Sequence, residues 1–227
     1  MPDALGSLRP RGVEGRDRQM IVEPTIERYL LRMQLAEDPV LAEMERIGED
    51  RGFPIVGPLV GRLLEQYARG IGARSVFEMG SGFGYSTGWF ARAVGAKGKV
   101  VHTENDPALS QEAKDWLRKA GLDKGVDFRL GDAVDLLRKD KGPYDIVFID
   151  IDKEDYPKAW ELARDRVRVG GLVLTDNALW HGKVVGPSKD AATVGVKEYN
   201  RLAQADEDYL TTILPVRDGL SVSLRVK

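Results

Sequence analysis

Asp150, Asp152 and Lys153 fall within one short segment, and Asp176 and Asn177 form an adjacent pair further along the chain. Asp150, Asp176 and Asn177 together offer three oxygen donors with no thiolate or imidazole among them. That set suits a hard, octahedral cation, Mg²⁺ first and another divalent ion such as Mn²⁺ or Ca²⁺ next. Such an ion acts as template and Lewis acid: it lowers the pKa of a bound hydroxyl and leaves room for two neighbouring substrate oxygens. Lys153 is the candidate general base. A free lysine titrates near ~10.4, so the metal's charge and burial must depress it for work at neutral pH. Acids at strand ends also simply cap helices or face water, and Asp152 reads either as substrate-facing or as an N-cap. Trp180 and His181 follow closely enough to wall an acceptor pocket, although Trp180 reads almost as well as ordinary packing. His102 sits inside a strand and reads as structural.

A second constellation precedes these residues. Val76-Phe77-Glu78-Met79 runs into Gly80-Ser81-Gly82-Phe83-Gly84-Tyr85-Ser86 and then a helix. Glycines let backbone approach a ligand closely, and a helix N-terminus offers free N–H groups. The pattern is G-x-G-x-G, with Tyr85 where a dinucleotide fingerprint has its third glycine. Glu78 would repel a pyrophosphate, yet could orient a cationic amino group such as that of methionine. Glu104, closing the next strand, can accept hydrogen bonds from both hydroxyls of a ribose. Gly131-Asp132-Ala133 ends the third strand, beside the expected adenine. The three strand ends together describe a site for S-adenosylmethionine (SAM). A glycine turn alone is weak evidence, so an NAD-dependent enzyme or a cofactor-binding module without chemistry stays open.

These residues need a frame. Short apolar runs at Ser75–Met79, Lys99–Glu104, Val126–Leu130, Tyr144–Asp150 and Gly171–Asp176 alternate with amphipathic stretches around 85–95, 107–121, 133–139 and 156–168. This rhythm predicts an α/β fold with a doubly wound, mostly parallel sheet. A helix over 192–204 follows. Then Leu210–Val216 and Leu220–Val226 flank Arg217-Asp218-Gly219, which predicts a closing antiparallel hairpin. Ahead of the sheet, helical spacing over 22–52 breaks at Asp38-Pro39, an N-cap followed by a first-turn proline, and a third helix starts after Gly57-Pro58. The expected organisation is a mobile arm over 1–20 and one domain over 21–227, with N-terminal helices at 21–72 and a Rossmann-like core at 73–227.

Composition narrows the function classes. With no cysteine, disulfides, thiolate metal sites and cysteine nucleophiles are excluded. With two histidines, a multi-histidine zinc site is not expected. A net charge of −2 gives no overall attraction to nucleic acid or anionic lipid. No apolar run approaches the ~18 residues of a membrane span, and the first residues lack the apolar core of a signal peptide. A cytoplasmic protein is expected.

The segments VFEMGSGFGYS, GDAVDLL, YDIVFIDIDKEDY and GGLVLTDNALWHGKV, with the closing LPVRDGLSVSLRVK, resemble the caffeoyl-CoA and catechol O-methyltransferase family. The likeness runs from about Phe53 to the C-terminus. It implies a seven-stranded SAM-methyltransferase fold and a homodimer. It implies SAM contacts from Glu78, Gly80, Ser86, Glu104, Ala133 and Asp150, metal ligation by Asp150, Asp176 and Asn177, and Lys153 as base. Asp152 and His181 fall where the plant enzymes meet their acceptor. Val185–Val194 is shorter than the plant insertion, and Pro58-Leu59-Val60-Gly61-Arg62 replaces an acidic or Glu-Gly-Gln segment. Both departures argue against a CoA-thioester acceptor. The expected acceptor is therefore a small phenolic molecule of the catechol type. The alternative is a hydroxylated wobble uridine in tRNA, the substrate of a bacterial branch to which Phe53-Pro54-Ile55 is similar; arginines 9, 11, 16 and 18 could meet its phosphates.

Overall fold

A computed structural model describes residues 21–33 and 38–227, and three helices precede its first strand. In α1 (Pro24–Met33) no residue is buried, and Ile26, Tyr29 and Met33 are more than half exposed. α2 (Pro39–Arg51) starts at the predicted break: the Asp38 carboxylate accepts from the Val40 N–H, and Pro39 stands where no donor is needed. α3 (Gly57–Gly70) turns Val60 and Leu64 into the core. The arm expected over 1–20 lies outside the described residues.

Strand and helix then alternate: β1 (Ser75–Met79), α4 (Tyr85–Val94), β2 (Lys99–Glu104), α5 (Pro107–Lys119), β3 (Val126–Leu130), α6 (Ala133–Lys139), β4 (Tyr144–Ile149), α7 (Tyr156–Ala163), β5 (Val167–Thr175), α8 (Ala191–Ala205), β6 (Tyr209–Leu214) and β7 (Leu220–Arg225). Two boundaries depart from the periodicity. The helix expected to reach 168 stops at Ala163, because Val167-Arg168-Val169 alternates with period two: Val167 enters the core, and Arg168 reaches Asp145 on the neighbouring strand. β6 ends at Leu214 rather than 216, since Pro215 has no N–H for a ladder.

The seven strands lie in the order β3-β2-β1-β4-β5-β7-β6. The first five are parallel, and β7 inserts antiparallel between β5 and β6. Alternate residues feed two cores. Val76, Ile146 and Phe148 pack with α2, α3 and α4, while Phe77, Val147 and Ile149 pack with α6, α7 and α8. Chain order reverses beside β1, so the crevice past the carboxyl ends of β1 and β4 is the place where this topology binds ligands. Among the described residues no helix is long and apolar enough to cross a membrane.

Trp160 on α7 is 2% exposed and meets Tyr199 and Tyr209 edge to face. Its truncation in Trp160→Ala should cost about 3–5 kcal/mol. Urea unfolding would show this as a lower midpoint with an unchanged slope.

Candidate active site

One or two residues past the parallel strands the backbone is stitched across the sheet. Ser81 N donates to Thr103 O, Gly131 N to Glu104 O, Asp150 N to Met79 O and Asp176 N to Ile149 O, all at 2.9–3.1 Å. Ile149 pairs with Thr175, so Asp150 and Asp176 leave the sheet as neighbours. A cavity of about 740 Å³ opens over this edge, and every site residue expected from the sequence except Glu78 lines it.

Glu78 lies beneath the glycine loop and is fully buried. Thr87 on α4 donates its hydroxyl to Oε2 at 2.5 Å, while Oε1 is buried without a hydrogen-bond partner. Burial pushes this carboxyl up to about 7, against the pull of the Ser86, Thr87 and Ser81 hydroxyls. Behind Thr87, His102 Nδ1 stands 3.1 Å from the same hydroxyl. Burial holds that imidazole down to about 3, so it stays neutral, in keeping with a structural role. Gly80 adopts φ 78°, and a Cβ there would sit 2.2 Å from the Asp150 carbonyl oxygen. Only glycine lets the β1 tip pass so close to the β4 tip.

Glu104 is fixed by three backbone donors. Gly82 N reaches Oε2 at 2.9 Å, and Asn105 N and Asp106 N reach Oε1 at 2.8 Å. A carboxylate has about four acceptor directions, so its free capacity lies mainly on Oε2. Asp132 borders the cavity and also caps α6, its Oδ1 accepting from Asp135 N at 2.8 Å. Ala133, the first residue of that helix, completes this wall.

At the other end, Lys153 Nζ lies 3.0 Å from Asp150 Oδ1 and 3.1 Å from the Ile151 carbonyl, over the rings of Tyr156 and Trp180. Asp176 is 6% exposed. Burial first, and the like charge of Asp150 second, push its carboxyl up to about 8, with Lys153 and Arg217 acting the other way. Among the described residues no three His, Cys, Asp or Glu side chains gather to hold a metal by themselves. The Asn177 amide, expected from the sequence as the third oxygen donor, lines the same cavity as Asp150 and Asp176. Asp152 is exposed, makes no capping bond to the 3-10 turn that follows it, and lines the cavity.

Asn177, Trp180 and His181 all adopt left-handed backbone, φ 54°, 44° and 53°. Asparagine accepts this readily, whereas tryptophan and histidine need to be held. The turn between β6 and β7 does the holding. Leu179 N donates to Asp218 O, Ala178 N to Gly219 O, and the Asp218 carboxylate accepts from His181 N at 2.5 Å and from Asn177 Nδ2 at 3.4 Å. Tyr156 adds a hydroxyl bond to the Asp176 carbonyl at 2.9 Å. Sequence reasoning missed Asp218 and Thr87. Asp218 reads as a hairpin residue, and nothing in its spacing shows that β7 will lie beside β5. Thr87 lies inside a helix, where only the fold reveals that it faces Glu78.

Comparison with known proteins gives the same picture. Residues 33–226 match the family model described as O-methyltransferase. A catechol O-methyltransferase of Niastella koreensis is 30% identical over 88% of this chain and 96% of its own. A caffeoyl-CoA O-methyltransferase of Medicago sativa is 31% identical over 74% of this chain and 73% of its own. The crystal structure of TomG, an O-methyltransferase of Streptomyces achromogenes in complex with SAM, superimposes with a TM-score of 0.81 at 28% identity, covering 89% of this chain and 96% of that one.

The raised carboxyl of Asp176 carries a pH signature. Folded, it holds its proton more tightly than in the unfolded chain, where 3.8 is ordinary. Stability is therefore lost as pH climbs from about 4 toward 8. Asp176→Asn should remove that loss. Melting temperatures without divalent metal should show the variant gaining on the wild type steadily from pH 5 to pH 8; parallel curves would show that Asp176 is not strained in this way.

Proposed function

The chain belongs to the O-methyltransferase family and is a SAM-dependent O-methyltransferase, and we propose that it uses a divalent cation to methylate one hydroxyl of a catechol-like small molecule. The observation that carries this reading is the side-by-side exit of Asp150 and Asp176 from β4 and β5, with Lys153 against Asp150, in the cavity that also reaches Glu104 and the glycine loop.

The residues present fit both groups. For SAM, the buried, unpartnered Oε1 of Glu78 is the atom suited to the donor's ammonium group, and Glu104 retains acceptor capacity for a ribose hydroxyl. Ser81, Ser86, Asp132 and Ala133 shape the same end. When bound, SAM supplies an electrophilic methyl on a cationic sulfur. For the cation, Asp150, Asp176 and Asn177 would be the holding residues, and the repulsion between buried Asp176 and half-buried Asp150 is what it would relieve. When bound, Mg²⁺ or a similar ion supplies Lewis acidity and a template for two adjacent oxygens.

The chain's own part is positioning and proton removal. Lys153, its Nζ held 3.0 Å from Asp150 Oδ1, is the side chain placed to take the acceptor's hydroxyl proton. Trp180, its ring stacked on His181, offers a flat wall for a planar acceptor, and Asp152 stands at the rim. Fixing the acceptor oxygen against the donor methyl is the main gain, since oriented reactants react as if at very high concentration. A homodimer is part of the proposal. The exposed apolar residues of α1 support it.

The test offers methyl-labelled SAM with a panel of simple catechols and, separately, tRNA bearing hydroxyuridine. Label should enter the catechols, vanish with chelator and return with Mg²⁺ or Mn²⁺. Asp176→Ala should abolish turnover while SAM still binds at micromolar affinity or better, roughly −8 kcal/mol by calorimetry. Full activity in chelator would remove the metal from the mechanism, and label in tRNA alone would replace the acceptor.

A further inference from the structure

Arg217 is a residue of the cavity wall that the chemistry above leaves without a task. It sits between β6 and β7 at φ 49°, a left-handed conformation that costs a non-glycine residue on the order of 1 kcal/mol. Its side chain is exposed and makes one hydrogen bond, from Nη1 to the Ile55 carbonyl at 3.2 Å. It forms no ion pair among the described residues. The next residue, Asp218, turns instead to His181. The guanidinium lies against Gly57, whose own φ of 68° favours glycine.

An arginine set at an unfavourable φ, seated on a glycine and left with most of its N–H donors free is poorly explained by a tether to one carbonyl. A guanidinium is always charged, and its planar fork matches a carboxylate. The same cavity holds Asp176, Asn177 and Trp180. We propose that Arg217 is a specificity-determining residue that selects catechols carrying a carboxylate on the ring or its side chain. This inference rests on the function proposed above. It assigns the charge of the acceptor, which that reading leaves open. The opposing feature is the pair Glu45 and Glu49, which line the α2 side of the cavity and would favour a cationic catechol. The test must therefore include one.

Initial rates with protocatechuate, catechol and dopamine, compared for the wild type, Arg217→Gly and Arg217→Lys, decide the matter. The wild type should favour protocatechuate over catechol by at least about tenfold in kcat/KM, the scale of one charge-assisted hydrogen bond, with the difference mainly in KM. Arg217→Gly suits the left-handed backbone, so its melting temperature should not fall. Its protocatechuate-to-catechol ratio should drop by the same factor. Arg217→Lys, keeping charge without the fork, should retain part of the preference. An unchanged ratio in Arg217→Gly, or dopamine as the best wild-type substrate, overturns the inference while the proposed function stands. Failure of the wild type to methylate any of the three overturns both.

Discussion

The pairing of Ile149 with Thr175 is the constraint on which the site depends. Parallel strands run about 4.8 Å apart, so matching their last residues delivers the next ones, Asp150 and Asp176, to the same place. A slip of one residue would turn one of the two carboxylates to the other face of the sheet. The register is held by the cores on both faces, where Val147, Ile149 and Val173 pack on one side and Ile146, Phe148, Leu172 and Leu174 on the other. Hydrophobic packing far from solvent thus imposes a juxtaposition of like charges that electrostatics alone would oppose.

That imposition has an energetic cost, and the same region carries others. Glu78 and Asp176 are buried carboxyls pushed toward neutrality, and four residues near the site other than glycine sit at positive φ. The two carboxyls and the left-handed Trp180, His181 and Arg217 each oppose folding by an amount of order 1 kcal/mol or more. Strain gathered at one edge of a sheet, with well-packed layers beneath it, marks the part of the molecule arranged for ligands rather than for stability. In the proposed function, cationic groups would relieve it: an ammonium near Glu78 and a divalent ion between Asp150 and Asp176.

The two halves of the cavity are built differently. The donor half comes from consecutive strand ends, β1 to β3, each followed directly by its loop, so its residues lie where local rules put them. The acceptor half draws on distant segments: the α2–α3 loop near Ile55, the stretch from Asn177 to His181, and the turn at Arg217 and Asp218. Asp218 couples two of these segments through its bonds to His181 and Asn177. Arg217 touches the third through Ile55. On the proposed assignment, change at the hairpin turn would alter the choice of acceptor and leave the donor site alone.

The sequence by itself determined the alternation of strands and helices, the N-cap at Asp38, the closing antiparallel pair and the placement of Glu78, Glu104, Asp150, Lys153 and Asp176 at or beside strand ends. All of these follow from periodicity and short-range backbone chemistry, which a linear pattern displays. It misjudged where α7 ends, because a period of two over three residues is easily lost behind a longer helical signal. It did not show that Thr87 faces Glu78, that Asp132 also caps α6, or that Asp218 holds the Asn177–His181 segment and Arg217 reaches Gly57. Only the tertiary structure decided these. β7 inserts between β5 and β6 to bury Leu220 and to cover the open edge of β5, and only that insertion carries the turn at 217–218 over to the active-site cavity.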